Sequence, residues 1–333
     1  MSTIGRLGLS LVAGPANAGK VALLLERYLA RLDDEPTLIV PNRSDVDRVE
    51  RDLLARCGCL LGGSIGTFDD LFERIAGGRG RLATPAQRAL VVRRALARVS
   101  LNGLSRSART SGFADTLAST LGELESGLLD PDDLSGDLSE LYRAYRAELE
   151  SLELTDRDLL RRRAADRLAS EFDAWDGSPV FAYGFEDLTG AEWSLLEVLA
   201  GRAEVQVSLP YEPGRTAFAS LQRTAEDLAA LAGGQVEELP ARSAEYQHPA
   251  LAHLERSLFE EPTGTPPPLE AAVRFFEGAG ARGTLELVGD EVLALIGSGV
   301  DPDRIAIVCP SVDQWRAPLE TVLGALAVPY AVE

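Results

Sequence analysis

Sulfur, imidazole and positive charge are all scarce in this chain. Its 333 residues hold three cysteines, two histidines and one methionine, and aromatics make up 6%. The cysteine count is odd, and Cys57, Cys59 and Cys309 follow no framework spacing. That excludes a disulfide scaffold and predicts the reduced thiols of a cytosolic protein. Cys57-Gly58-Cys59 forms a C-x-C at a predicted helix end. A metal there would need further ligands, and His248 and His253 stand in a remote stretch, so plain buried thiols are expected. The N-terminus has no basic segment leading into a long apolar core, and no apolar run reaches the length of a membrane span. A cytoplasmic protein with no membrane partner is the expectation. Acids exceed bases, with 52 Asp and Glu against 33 Lys and Arg, for a net charge of -19. Such a chain does not coat nucleic acid by bulk electrostatics, because that binding depends on Lys and Arg displacing phosphate counterions. Only a local basic groove stays open.

Apolar residues, by contrast, are ample. At 45% hydrophobic content over this length, the chain can bury a sizeable core and divides into two or three domains. Its most informative stretch is Leu9 to Leu25. Leu9, Leu11 and Val12 lead into Gly14-Pro15-Ala16-Asn17-Ala18-Gly19-Lys20, which fits the phosphate-binding pattern G-x-x-x-x-G-K, and an apolar helix follows. In such a loop the glycines let backbone N–H groups turn onto phosphate oxygens. The helix start adds its positive dipole end, and the lysine ammonium reaches the terminal phosphates. The next residue breaks the pattern. Val21 stands where Ser or Thr would hold Mg²⁺, and it offers no oxygen.

Further along, Ala22 to Leu32 is predicted helical, Thr37 to Val40 is a short strand ending at Pro41-Asn42, and Ser44 to Cys57 is a helix with Ser44 as N-cap. Ser64 to Phe68 and a helix from Asp69 to Ala76 come next. Strands alternating with helices, the first turn carrying a phosphate loop, predict a RecA-like parallel α/β sheet beginning in 1–80. Ligands of such sheets sit at the carboxyl ends of strands. From Ala83 to Ser170 no strand-like run is expected, and helices at Thr84 to Val99, Phe113 to Leu128, Ser139 to Leu152 and Asp156 to Ser170 predict an all-helical insertion over 81–172. Its arginines Arg93, Arg94, Arg98, Arg106 and Arg109 are either solvated helix faces or contacts for a DNA backbone.

Over 173–260 the sheet resumes. Strands are predicted at Pro179 to Gly184 and Val205 to Leu209, with a capping box from Thr189 to Glu192 between them. A helix at Phe218 to Ala232 and an edge strand at Val236 to Leu239 follow. A Pro- and Gly-rich connector covers 261–272. Beyond it, strands at Val273 to Phe276, Arg304 to Cys309 and Pro329 to Val332 alternate with two helices, so 273–333 reads as the beginning of a second RecA-like α/β domain, truncated.

Taken together, this order resembles superfamily 1 DNA helicases of the UvrD type, and more closely the AddB/RexB family of the ATP-dependent helicase/nuclease. The early GPANAGK loop is one point of likeness. Leu38-Ile39-Val40-Pro41 with the helix bearing Arg48, Glu50 and Arg51 is a second, and Gly66-Thr67-Phe68-Asp69-Asp70-Leu71 a third. Tyr183-Gly184-Phe185-Glu186-Asp187-Leu188-Thr189-Gly190-Ala191-Glu192 is similar to that family's GF-and-TxxE segment. Asp303 to Val308 and Val328-Pro329-Tyr330 look like segments of a second motor domain. The resemblance covers essentially the whole chain and implies a DNA-repair protein that works with an AddA-like catalytic helicase/nuclease partner on single-stranded DNA or duplex ends. Single-stranded DNA would by analogy cross the top of the sheet, which makes Asn42, Arg43, Thr67 and Phe68 the candidate DNA contacts. Phe68 also fits a core position.

The departures from the family pattern concern one chemistry. A working motor carries adjacent Asp-Glu at the end of the Walker B strand, to hold Mg²⁺ and activate water. Here that strand ends Tyr183-Gly184-Phe185, and Glu186-Asp187 after it reads as an exposed acidic turn. The arginine expected after Asp303 to Val308 is replaced by Cys309-Pro310-Ser311. With Val21, all three changes remove Mg²⁺ and terminal-phosphate chemistry. The implied function is an ATPase-inactive, helicase-like scaffold, with an active P-loop ATPase and a pure protein-interaction scaffold as alternatives. Lys20 either still binds ATP weakly or is a vestige, and Mg²⁺ has no side-chain ligand in the loop. The family's nuclease carboxylates and iron-sulfur cysteines have no counterpart here.

Overall fold

The computed structural model describes residues 8–77, 81–242, 248–261, 264–270 and 272–331. Two compact units emerge: Met1–Glu245 with Leu258–Glu261, and Tyr246–Ser257 with Pro262–Glu333. The first unit opens with β1 (Gly8–Gly14), α1 (Lys20–Leu29), β2 (Thr37–Ile39), α2 (Arg43–Cys57), β3 (Ser64–Gly66) and α3 (Phe68–Ala76). The predominantly helical stretch follows, with β4 (Arg81–Leu82), α4 (Pro85–Arg98), α5 (Phe113–Ser126), α6 (Gly136–Ser151), β5 (Leu154–Thr155) and α7 (Arg157–Ser170). The sheet then resumes through β6 (Val180–Ala182), α8 (Gly190–Ala200), β7 (Glu204–Pro210), α9 (Gln222–Leu231) and β8 (Val236–Glu238).

Six strands form one sheet in the order β3-β2-β6-β7-β1-β8, and every strand pair in it is parallel. Strand alternation divides its side chains between two layers. Leu38, Val40, Phe181 and Tyr183 point to the side of α1 and α2, where they meet Leu24, Leu25, Tyr28, Val46, Val49 and Leu53. Ile39, Val180, Ala182, Val205 and Val207 point the other way, onto Phe72, Ile75, Leu195 and Leu199. The α7 residues Leu160, Ala164 and Leu168 join that second core. The helical stretch also has a core of its own, built from Val91, Val92, Ala95, Leu117, Leu121, Tyr142, Tyr145 and Leu149.

Several expectations need correction. The helix after the phosphate loop begins at Lys20 rather than Ala22 and stops at Leu29. The N-cap of α2 is Asn42, whose side chain accepts from the Asp45 N–H at 2.9 Å, and not Ser44. The helical stretch does contain strand: Arg81 and Leu82 pair in parallel with Leu154 and Thr155. Cys57 and Cys59 are exposed rather than buried, and all three thiols are free.

The second unit differs most. It contains α10 (Pro249–Ser257), a helix not expected from the sequence, then α11 (Gly280–Gly297) and α12 (Val312–Ala325), with Val292, Leu323 and Val328 buried between them. Val273 to Phe276, Arg304 to Cys309 and the described part of Pro329 to Val332 form no strand. A strand needs a hydrogen-bonded neighbour as well as apolar residues, and these segments do not pair with one another. Phe275 and Val308 accordingly stand 85% and 91% exposed. Pro262, Thr263 and Ala271 of the expected connector, and Val332, lie outside the described residues.

Charge holds the helical stretch together from within. Glu125 is fully buried and accepts two hydrogen bonds from Arg146, at 2.6 and 2.7 Å. Removing the carboxylate takes two charge-assisted bonds from that guanidinium and leaves it Asp130 and the Tyr142 hydroxyl. Glu125→Ala is therefore expected to lower stability by about 2–3 kcal/mol, whereas Arg143→Ala at the exposed Arg143–Asp132 pair should change it by no more than about 1 kcal/mol; denaturant melts compare the two. Backbone N–H groups of Leu104 and Asn102 hold the Asp137 carboxyl below the usual carboxylate range. Its stabilisation is thus present above the ordinary carboxylate pKa and lost as pH falls through the depressed value, so Asp137→Asn should flatten the acid limb of the stability profile.

Candidate phosphate and nucleic-acid site

The buried end of β1 delivers the chain into the glycine loop. Gly14 and Pro15 are buried, Ala16 and Asn17 project to solvent, and Ala18 is 1% exposed. Asn17 has φ 57° and Gly19 φ 92°, so two residues in the left-handed region reverse the chain before α1 starts. Gly19 occupies the N-cap position and offers no side chain to cap it. That leaves the first turn of α1 open to an anion.

Lys20 is the only lysine in the chain. Its ammonium donates to Gly14 O at 2.7 Å and Pro15 O at 2.5 Å. Burial holds its pKa below the ordinary lysine value. The cation is thus held by carbonyl dipoles, with no carboxylate partner among the described residues, an arrangement an incoming phosphate would improve. Val21 is 41% exposed at the mouth of the loop.

Gly14 is required by what crosses over it, and Gly19 by its backbone φ of 92°. After β8 the chain lies along the end of β1, fixed by Leu239 N–H donating to Ala13 O at 2.8 Å. A methyl group on Gly14 would come within 2.8 Å of Leu239 O, and one on Gly19 within 3.1 Å of the Arg242 guanidinium carbon. Sequence reasoning missed Arg242. No spacing rule links a residue after the last strand to a loop after the first, and only the position of β8 beside β1 brings them together.

At the end of β6 the acid pair of a working motor has no counterpart. Tyr183 is 4% exposed, packs into the α1/α2 core, and its burial pushes the phenol pKa up. Glu186 and Asp187 are exposed, and Asp187 accepts from the Leu188 N–H at 2.9 Å, so the acidic turn before α8 is as expected. Among the described residues no group of three or more His, Cys, Asp or Glu side chains is placed to hold a metal. The residues at the loop fit a phosphate group and do not fit Mg²⁺.

The four candidate DNA contacts do come together, at the carboxyl ends of the paired strands β2 and β3. Their availability differs. Asn42 caps α2, and Thr67 forms a reciprocal capping box with Asp70 at the start of α3. Phe68 is 3% exposed, its ring 4.8 Å from Phe185 and 6.4 Å from Phe72. It faces the core, where no base can stack on it. Arg43 has its side chain 73% exposed, with a 3.4 Å contact to Asp70. Beside it, Asp69 draws in Arg157 and Arg161 from α7. Of the five arginines of the helical stretch, Arg94 and Arg98 both approach the buried Glu148, which assigns them to structure.

Residues 11–255 match the family model described as ADDB, N-terminal. The chain belongs to the AddB family. It is 27% identical to the B subunit of the ATP-dependent helicase/deoxyribonuclease of Pelotomaculum thermopropionicum, over 98% of this chain and 32% of that protein. Proteins of the same name in Desulforudis audaxviator and Acetivibrio thermocellus are 29% and 24% identical, again over 98% of the chain and 32% of their own length. The chain spans about a third of the length of the AddB relatives it matches. No helix among the described residues is long and apolar enough to cross a membrane.

Core and surface positions of the AddB candidate face should separate cleanly on substitution. Phe68→Ala is expected to cost about 3–5 kcal/mol through the cavity it leaves, while Arg43→Ala stays within about 0.5 kcal/mol; urea unfolding followed by circular dichroism measures both.

Proposed function

We propose that this chain is the helicase-like, hydrolysis-silent N-terminal region of a DNA double-strand-break repair helicase/nuclease subunit, one that binds DNA and docks with an AddA-like catalytic motor. On this reading 1–80 and 173–260 form one RecA-like domain, 81–172 is its helical insertion, 261–272 is a connector, and 273–333 begins the next motor-like domain. The observation that carries the proposal is the split state of the site. Lys20 and the glycine loop are in place, while Val21 and Tyr183 occupy the two positions from which a motor would hold Mg²⁺ and activate water. The name its relatives share, that of the B subunit of a helicase/deoxyribonuclease, supports the DNA-repair role and the existence of a partner. Arg43 and its neighbour Arg157 supply the local positive charge for a DNA backbone.

A pure interaction scaffold is the second reading. Two features favour it: the net charge of -19 and the commitment of Asn42, Thr67 and Phe68 to caps and core.

ATP turnover with and without single-stranded DNA tests the proposal. The expected result is no DNA-stimulated hydrolysis, and DNA-stimulated hydrolysis that Lys20→Ala abolishes would overturn it. Single-stranded DNA binding should fall steeply with salt and weaken several-fold in Arg43→Ala. Binding that is absent at low salt would favour the scaffold instead.

A further inference from the structure

We infer that the phosphate loop takes a nucleoside triphosphate without its magnesium ion, with the Arg242 guanidinium supplying the positive charge that the metal would bring. This rests on the phosphate-loop reading and extends it to the form of the ligand and to a binding residue outside the loop.

Three observations at the loop point the same way. Its positive charges are organic. Lys20 reaches back over Gly14 and Pro15, and Arg242 lies against Gly19, so two cations border the turn from opposite ends of it. Arg242 stands three residues beyond the last anchor of its strap. The strap that carries it is anchored first by the β1–β8 ladder and then by Leu239 N–H on Ala13 O. Among the described residues Arg242 makes no ion pair, which leaves its N–H fork open to an anion.

The third observation is the lack of oxygen donors for a metal. Mg²⁺ demands octahedral oxygen coordination and keeps a protein oxygen or carboxylate beside the phosphates. The loop offers Val21 in that position, 41% exposed. The acids nearest in the motor pattern, Glu186 and Asp187, sit in the solvent-facing turn before α8. A bound Mg²⁺ would neutralise part of the triphosphate charge that Lys20 and Arg242 attract, and would gain no oxygen ligand from Val21 in return. The metal-free anion keeps its full charge for both cations and for the open first turn of α1.

Calorimetric titration of the full 333-residue chain with ATP, in EDTA and then in excess Mg²⁺, tests this. ATP in EDTA is expected to bind at least as tightly as Mg-ATP. Arg242→Gln should weaken metal-free binding about tenfold or more, Arg242→Lys should recover part of it, and melting temperatures check that each variant is folded. The single lysine gives a second readout: ATP in EDTA should protect the Lys20 ε-amine from acetylation, as read by mass spectrometry, and lose that protection in Arg242→Gln. Binding that requires Mg²⁺, or that ignores Arg242→Gln while Lys20→Ala abolishes it, overturns this inference and leaves the phosphate-loop reading standing. No binding of ATP in either form overturns both.

Discussion

The β1–β7 ladder is the contact on which the rest of the first unit depends. Seven residues of β1 pair in register with seven of β7, from Gly8 opposite Glu204 to Gly14 opposite Pro210. The side-chain bond from Gln206 to Ser10 spans 196 positions of sequence. A parallel pairing so distant closes a large loop, and the entropy of that closure is met only when the intervening helices have a place to pack. Once the ladder exists, β1 is enclosed between β7 and β8 and its carboxyl end is fixed. The glycine loop inherits its position from that fixed point, as does the strap that leaves β8 and crosses it.

The helical stretch is tied to the sheet more closely than an insertion need be. Its last helix, α7, faces two ways. Leu160, Ala164 and Leu168 lie in the sheet core, while Asp156, its N-cap, accepts from the Tyr145 hydroxyl of α6. Arg161 reaches Asp69 at the first turn of α3, and Arg167 donates to Ile75 O at that helix's last turn. The end of the sheet where Arg43 stands is therefore braced by the helical stretch at both ends of α3. A change of packing in one element would be felt at the other through α7, which is a rigid connection between the two cores.

Part of the charge in this protein acts inward. The net negative balance conceals a set of arginines whose partners are buried carboxylates: Arg146 and Arg162 around Glu125, Arg94 and Arg98 around Glu148. A buried pair of this kind specifies which helices meet, because either partner left alone carries a heavy desolvation cost. Lys20, Arg43 and Arg242 stand near strand ends and, among the described residues, have no buried carboxylate partner.

Local sequence determined the elements. Short apolar runs and helical apolar patterns marked the strands of the six-stranded sheet and the helices of the first unit to within a few residues but missed the β4–β5 pair, and Thr84, Thr189 and the glycine loop announced themselves because caps and turns are short-range chemistry. The composition likewise ruled out a disulfide framework. What required the tertiary structure was every question of neighbours. Whether Val273 to Phe276 is a strand depends on a ladder partner, which its own residues cannot supply. Whether Phe68 stacks on a base or fills a core depends on Phe185, which arrives from β6, and whether Asn42 contacts a ligand or caps a helix depends on where α2 starts. The placement of Arg242 beside Gly19 belongs to the same class. It follows from β8 docking next to β1, a pairing set by the closure of the whole sheet and written in no single segment of the chain.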